Sequence, residues 1–172
     1  MKNTDTKERI LELLFLFPNR TFHLREIARS INISPPAIAK AIKELEGEEL
    51  ILSKRKFLFE IQANLSNKAF RNLKRVHNLG SIYSSGLFDF LHENFPLNNI
   101  VLFGSYSKGD DAENSDIDIA IDAKEKKIDL EKYEKKLGRR INIEFIEINK
   151  LLRELRDSII NGIVLLGHIS LK

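Results

Sequence analysis

The sequence predicts an α+β protein: three helices and a β-hairpin, then a helical joint, then a small mixed sheet. Two observations lead to this fold class. Apolar residues recur at helical spacing through most of the front half. Short β-prone runs, ILS, FLFEIQA, NIVLF and IDIAI, follow between turn signals and further helical patterns. The predicted domains cover residues 1–66 and 84–172, with a helical connector at 67–83.

Composition excludes several classes of protein. The chain has no cysteine, so disulfides and Cys-based zinc sites are impossible, and its four histidines lie too far apart for a local ligand motif. No stretch reaches the ~20 apolar residues of a membrane helix, and no signal-peptide pattern is present. We therefore expect a cytoplasmic protein with no membrane partner.

Charge divides the chain into two unequal halves. Residues 1–80 carry 15 Lys/Arg against 9 Asp/Glu, whereas residues 81–172 carry 13 against 16. A basic front fits a polyanion partner, and a carboxylate-rich back fits a metal ion or polar catalysis.

The front half contains three predicted helices. The first ends at Pro18, a short link through Thr21 and Phe22 follows, and the second helix is LREIARSI. The third begins after Ser34, which can cap it, with Pro35 at its first helical position. The two apolar runs that come next predict a hairpin with a basic cluster at its tip, Lys54-Arg55-Lys56.

Three helices, a tight turn between the second and third, and a hairpin with a basic tip resemble a winged helix-turn-helix domain of the MarR-like or ArsR-like type. The resemblance covers residues 5–66 and implies that the third helix enters a DNA major groove while the hairpin contacts phosphate. The residues it assigns to DNA are Lys40, Lys43, Lys54, Arg55 and Lys56. Domains of this kind also serve as protein-docking or dimerisation modules, and that alternative stays open here.

The joint at residues 67–94 is predicted to be mostly helical. An apolar residue recurs every third position in KAFRNLKRVHNL, so Leu73 and Val76 are expected on one packed face. Gly80 and Gly86 punctuate the stretch.

The stretch FGSYSKGDDAENSDIDIAI, residues 103–121, holds the candidate active site. Strand alternation puts Asp116 and Asp118 on one face, about 7 Å apart along the chain, and such a pair repels unless a cation such as Mg²⁺ neutralises it. Gly104 permits close backbone approach, and Ser105 can start a helical turn that faces a phosphate. The polar residues 110–114 are expected to form a solvated loop.

This pattern of glycines, serines and aspartates resembles the signature of the DNA polymerase beta-like nucleotidyltransferase superfamily, in its minimal nucleotidyltransferase branch. The resemblance covers residues 84–165. It implies two Mg²⁺ ions and a nucleoside triphosphate, with ATP favoured, whose nucleotidyl group moves to an acceptor hydroxyl with release of pyrophosphate. By the same resemblance, Asp116 and Asp118 ligate the metals. The residues it assigns to nucleotide binding are Gly104, Ser105, Lys108 and Ser115.

The family also uses a third carboxylate on a later strand, and Glu144 in RINIEFIEI is the candidate for it. Family members usually carry aspartate there, so this carboxylate lies one methylene further from the backbone. Glu147 is expected on the opposite face, and Asn142 cannot act as a base, so both are weaker candidates.

Two functions follow. The first is an enzyme that transfers a nucleoside monophosphate, with AMP favoured, to a protein or nucleic-acid hydroxyl; relatives of the minimal branch often work with a separate helical HEPN protein as toxin and antitoxin. The second is a DNA-binding regulator, expected as a homodimer, whose rear domain senses nucleotide or is inactive.

Overall fold

The computed structural model of the chain describes residues 5–55, 59–147 and 150–169. It divides into two compact units, Met1–Lys74 and Arg75–Lys172. Each unit combines helices with a small sheet, so the α+β class is confirmed. The border between the units falls inside a helix of the predicted connector, and the domain boundaries 1–66, 67–83 and 84–172 stay a prediction.

Ahead of the joint, the described residues of the first unit form three helices and three strands. In chain order they are α1 (Thr6–Leu16), β1 (Phe22–His23), α2 (Leu24–Ser30), α3 (Pro35–Gly47), β2 (Ile51–Arg55) and β3 (Phe59–Ala63). The strands form an antiparallel sheet in the order β1-β3-β2.

Helix starts and core packing explain why these segments fold as they do. Asp5 caps α1 by accepting a hydrogen bond from the Lys7 amide at 3.3 Å. Ser34 occupies the cap position of α3 but makes no side-chain cap bond, partly because Pro35 and the proline after it remove the first two amide donors. The core is built from side chains at helical spacing, including Ile10, Leu14, Ile27, Ile38, Ile42 and Leu45.

Two predictions about the front half need correction. The link through Phe22 is a two-residue strand, with Phe22 opposite Ile61 on β3. Lys54 and Arg55 lie within β2 and not at the hairpin tip, with Lys54 opposite Glu60. The charge of Lys54 is tolerated because β2 is an edge strand of this sheet. Lys56 and the side chain of Arg55 lie outside the described residues.

The joint contains α4 (Lys68–Ser84) and α5 (Leu87–Asn94), as predicted. Gly80 lies inside α4 and does not interrupt it, whereas Gly86 caps α5 with a left-handed φ of 81°. Leu73 and Val76 are exposed, so the expected packed face is wrong at these two positions.

Four strands within the described ranges form the sheet of the second unit. The elements are β4 (Ile100–Phe103), α6 (Gly104–Lys108), β5 (Ile117–Ile121), α7 (Glu131–Leu137), β6 (Ile141–Phe145), α8 (Arg153–Ile160) and β7 (Ile163–Leu166). Strand order is β6-β5-β4-β7, with β5 and β6 parallel and the other pairs antiparallel. The sheet is therefore mixed, as the sequence predicts.

Both faces of this sheet are covered, which fixes the register of β5. Ile117, Ile119 and Ile121 are fully buried in the larger core with residues of α5. Ala120 points to the other face, where it joins a smaller core with Ile159 of α8. Because side chains alternate along a strand, Asp118 shares the face of Ala120.

Within the described ranges, no helix combines the length and the apolar character that a membrane span requires.

A matched pair of glycine substitutions tests the packing of the second unit. A Cβ at Gly162 would lie 2.5 Å from the Leu102 carbonyl oxygen, whereas a Cβ at Gly80 would meet nothing within 4 Å. We expect Gly162→Ala to lower the free energy of unfolding by about 1–3 kcal/mol. Gly80→Ala should raise it by about 0.5–1 kcal/mol, because alanine favours the helix. Urea denaturation followed by circular dichroism measures both, and equal effects of the two changes would contradict the described packing.

Candidate active site

The pairing of β4 with β5 brings the predicted glycine and aspartate together. Phe103 lies opposite Asp118 in the antiparallel register. The chain then turns at Gly104, whose φ of 72° lies in the left-handed region, and a Cβ there would be 2.3 Å from Asp118 Oδ2. Only glycine lets the backbone pass this close to the carboxylate.

The two aspartates take the alternating arrangement that the sequence predicts. Asp116 directly precedes β5 and is exposed, Ile117 is buried, and Asp118 is half-buried within the strand. Both carboxylates therefore belong to the same side of the sheet.

Strand β6 adds a third carboxylate and an amide. In the parallel register Asn142 lies beside Asp118, and Glu144 lies beside Ala120. The Asn142 Nδ2 atom donates to Asp118 Oδ1 and to Glu144 Oε1, both at 3.3 Å. From the sequence alone, Asn142 is a weaker candidate than Glu144 because an amide cannot act as a base. Its spacing of two from Glu144, which puts both on one face of a strand, is the signal that would have found it.

The electrostatics of Asp118 report this crowding. Partial burial is the largest cause that raises the pKa of the Asp118 carboxyl above its ordinary value of 3.8, and the charges of Asp116 and Glu144 raise it further. The hydrogen bond from Asn142 acts in the opposite direction. Three carboxylates thus share one neighbourhood and repel one another.

The donor set of this neighbourhood fits a hard divalent cation. Its ligands would all be carboxylate oxygens, the type that Mg²⁺ prefers. Within the described ranges, however, no three Asp, Glu, His or Cys side chains are gathered into a ready-made metal site. The Asn142 amide occupies the space between Asp118 and Glu144 instead. The assignment of all three carboxylates to metal binding therefore stays a prediction.

The remaining predicted nucleotide-binding residues flank the carboxylates. Ser105 lies in the first turn of α6, and Ser107 closes that turn by donating to the Gly104 carbonyl at 2.9 Å. Lys108 is exposed at the end of α6 and forms no hydrogen bond or ion pair within the described part of the chain. The Ser115 hydroxyl accepts a hydrogen bond from the Ala112 amide at 2.9 Å. Their roles toward a nucleotide stay predictions.

The segment before Asp116 is exposed at Asp110 and Asn114, as expected of a solvated loop, but differs from that expectation at Asp111. Asp111 is buried, with only 2% of its surface exposed, and its carboxylate pairs with Arg139 at 2.9 Å. The prediction failed because the partner lies 28 residues further along the chain. Next to this segment is a cavity of about 460 Å³, lined by residues 113–116 and 138–140. Asp116, whose charge acts on Asp118, thus also lines this cavity.

The predicted DNA-binding residues belong to the first unit. Lys40 and Lys43 are exposed on α3, opposite the buried Ile38 and Ile42. Lys54 is exposed on β2. The structure therefore leaves all three lysine side chains accessible.

Comparison with known proteins bears on the second unit. Residues 86–168 match the family model described as "Polymerase beta, Nucleotidyltransferase". The match supports a nucleotidyltransferase-type enzyme at the level of the superfamily. No curated protein and no solved structure matches the chain.

A neutral side chain at position 118 should stabilise the protein. The pKa of Asp118 is raised on folding, so between its ordinary value of 3.8 and the folded value the folded protein holds more protons than the unfolded chain. Stability then falls as the pH rises through that window. We expect Asp118→Asn to escape this fall, so its Tm should exceed the wild-type Tm at neutral pH and the difference should shrink in acid. Thermal unfolding in EDTA from about pH 4 to pH 8 measures it. A difference that does not change with pH would contradict the raised pKa of Asp118.

Proposed function

We propose that the second unit, whose residues 86–168 match nucleotidyltransferases of the polymerase beta type, transfers a nucleoside monophosphate from a nucleoside triphosphate to an acceptor hydroxyl. AMP from ATP is the favoured group, and the acceptor is a protein or a nucleic acid. The observation that carries the proposal is the approach of the Gly104 backbone to Asp118, beside Asp116 and Glu144. Phosphoryl transfer needs these parts, namely carboxylates for metal ions and a backbone that can lie against phosphates.

Two Mg²⁺ ions, held by Asp116 and Asp118 with help from Glu144, would supply the positive charge that neutralises the phosphates. The Asn142 amide now bridges Asp118 and Glu144, so it has to turn aside if both carboxylates are to act as ligands. Both of its hydrogen bonds are 3.3 Å long, slightly beyond the usual range for N–H···O bonds.

The chain's own residues would carry the proton and orient the triphosphate. Glu144 accepts the proton of the acceptor hydroxyl, whose oxygen attacks the α-phosphorus while the bond to pyrophosphate breaks and pyrophosphate leaves with the electron pair. Gly104 and Ser105 provide backbone donors for the triphosphate, with Lys108 and Ser115 beside them. The exposed ammonium of Lys108 is available for this role because it is engaged in no described ion pair.

A second proposal concerns the first unit, which we infer to be a winged helix-turn-helix domain that binds DNA. It is supported by the exposure of Lys40 and Lys43 on one side of α3, whose other side is buried. Lys54 on the hairpin adds a third exposed positive charge. Arg55 and Lys56 stay part of this proposal from the sequence alone. If the second unit does not catalyse, the chain is a DNA-binding regulator or antitoxin that senses nucleotide.

The proposed protein partner and the proposed oligomeric state rest on the sequence resemblance. A separate HEPN-type protein is the proposed acceptor or partner, and a homodimer is the proposed DNA-bound form. A cytoplasmic location is proposed from the cysteine-free composition, which suits a reducing compartment.

Loss of the paired aspartates should abolish transfer. Purified protein is incubated with Mg²⁺ and each of four α-labelled ribonucleoside triphosphates, with cell extract as acceptor. We expect label on a protein or RNA band, and a loss of at least about 100-fold in the Asp116→Asn/Asp118→Asn variant, because the carboxylates that hold the metal charge are gone.

Asp122→Asn is the matched control for this assay, since it removes one carboxylate just beyond the opposite end of β5. It should transfer label at the wild-type rate. Magnesium-dependent nucleotide binding without any transfer by the wild type would overturn the catalytic proposal in favour of nucleotide sensing.

Neutralising the lysines of the first unit should weaken DNA binding. We expect the variant Lys40→Gln/Lys43→Gln/Lys54→Gln to bind its DNA less tightly than the wild type does. The DNA is a duplex with the sequence found upstream of the gene that encodes this chain. The slope of log K against log salt should fall by roughly 0.9 for each phosphate that the variant no longer neutralises. Fluorescence anisotropy at several salt concentrations measures both quantities.

The triple variant Lys124→Gln/Lys127→Gln/Lys132→Gln in the second unit removes the same net charge and should leave affinity and slope unchanged. If both triple variants lose affinity equally, only the overall charge of the chain matters, and the proposed DNA surface is wrong.

A further inference from the structure

A buried arginine forms hydrogen bonds with the loop that leads into Asp116. The Arg139 Nη1 atom donates to the carbonyl oxygens of Ala112 at 2.5 Å and Ser115 at 2.9 Å, with a longer contact of 3.3 Å to Glu113. Its Nη2 atom pairs with Asp111 Oδ2 at 2.9 Å. The side chain of Arg139 is 6% exposed and that of Asp111 is fully buried. One guanidinium therefore organises the whole turn from 111 to 115.

The arginine is itself held in place from two other elements. Asn78 of α4 donates from Nδ2 to Asp111 Oδ1 at 2.7 Å and to the Tyr106 carbonyl at 2.9 Å. The guanidinium carbon of Arg139 lies 5.5 Å from the centroid of the Tyr106 ring. Burial raises the pKa of the Tyr106 hydroxyl to about 12, so this hydroxyl stays neutral and adds no charge beside the Arg139–Asp111 pair. The Arg139–Asp111 pair is thus held by contacts from α4 and α6, and Arg139 itself lies in the turn before β6.

A buried ion pair is weak evidence for stability, because removing two charges from water is unfavourable and apolar replacements are often as stable. The geometry of the Arg139–Asp111 pair explains its presence better than a contribution to stability does. The Ser115 carbonyl belongs to the peptide group whose nitrogen is that of Asp116, so the 2.9 Å bond from Arg139 restrains the orientation of that peptide. The Ser115 hydroxyl closes the turn onto the Ala112 amide. Asp116 is the first residue after the turn that these hydrogen bonds restrain.

We propose that Arg139 is a positioning residue: through the 115–116 peptide it holds the exposed Asp116 carboxylate beside Asp118 for a divalent cation. Asp118 needs no such device, because it lies within β5 and is fixed by strand pairing. Asp116 precedes the strand and depends on its loop. The inference rests on the proposed metal role of the two aspartates.

The experiment measures binding of Mn²⁺ alone by electron paramagnetic resonance, together with hydrogen exchange of the amides in residues 112–116. The variants are Arg139→Lys and the charge-neutral pair Asp111→Asn/Arg139→Gln, which avoids leaving one buried charge without its partner. Leu91→Ala, a fully buried position on α5, serves as a control for general loss of stability. Circular dichroism confirms that each variant is folded.

We expect Asp111→Asn/Arg139→Gln to lose about 10- to 100-fold in Mn²⁺ affinity, as supporting residues of metal ligands typically do. The Ala112 and Ser115 amides, which are hydrogen-bonded within the turn, should exchange faster. Arg139→Lys should recover part of the affinity, because it keeps the charge but not the fork of donors. Leu91→Ala should keep wild-type affinity despite its lower Tm.

Unchanged Mn²⁺ affinity in the neutral pair, with faster exchange, would leave Arg139 a merely structural residue and overturn the inference, as would a wild type that binds no Mn²⁺. An affinity loss equal to that of Leu91→Ala would overturn it too. A wild type that binds Mn²⁺ but transfers no nucleotide would refute the proposed function alone, and the comparison among variants would still decide the role of Arg139.

Discussion

The geometry of the site depends on one close approach, that of the Gly104 backbone to the carboxylate of Asp118. The antiparallel pairing of β4 and β5 sets it by placing Phe103 opposite Asp118. That register is in turn fixed by burial, because a slip of one residue would bring Asp118 into the larger core and turn the isoleucines beside it away from that core. The hydrophobic pattern of β5 thus determines on which face Asp116 and Asp118 lie.

The two aspartates reach their places by different means. Asp118 is carried by a strand with a hydrogen-bonded neighbour on each side. Asp116 is carried by a turn that has no sheet around it and is held by the carbonyl contacts of Arg139. A buried guanidinium suits this work because its rigid donors can engage several carbonyl oxygens and a carboxylate at once.

Much of the fold and of the candidate site could be predicted from the sequence, because the informative patterns are local. Apolar spacing located the main helices, and alternation around Asp116 and Asp118 put them on one face. What could not be predicted depends on partners far apart in the chain. The strand at Phe22 is too short to have a period, and the burial of Asp111 depends on Arg139. The bridging position of Asn142 depends on the parallel register of β5 and β6, which no local pattern determines.

The crowding of Asp116, Asp118 and Glu144 has a consequence for the lifetime of the protein. Groups that repel one another in the folded chain separate when it unfolds, so the site weakens the unit that contains it. Any cation or substrate complex that binds there selectively stabilises the folded form by mass action. Protein engaged at its site should therefore resist proteolysis better than idle protein, and its abundance in a cell would follow its occupancy.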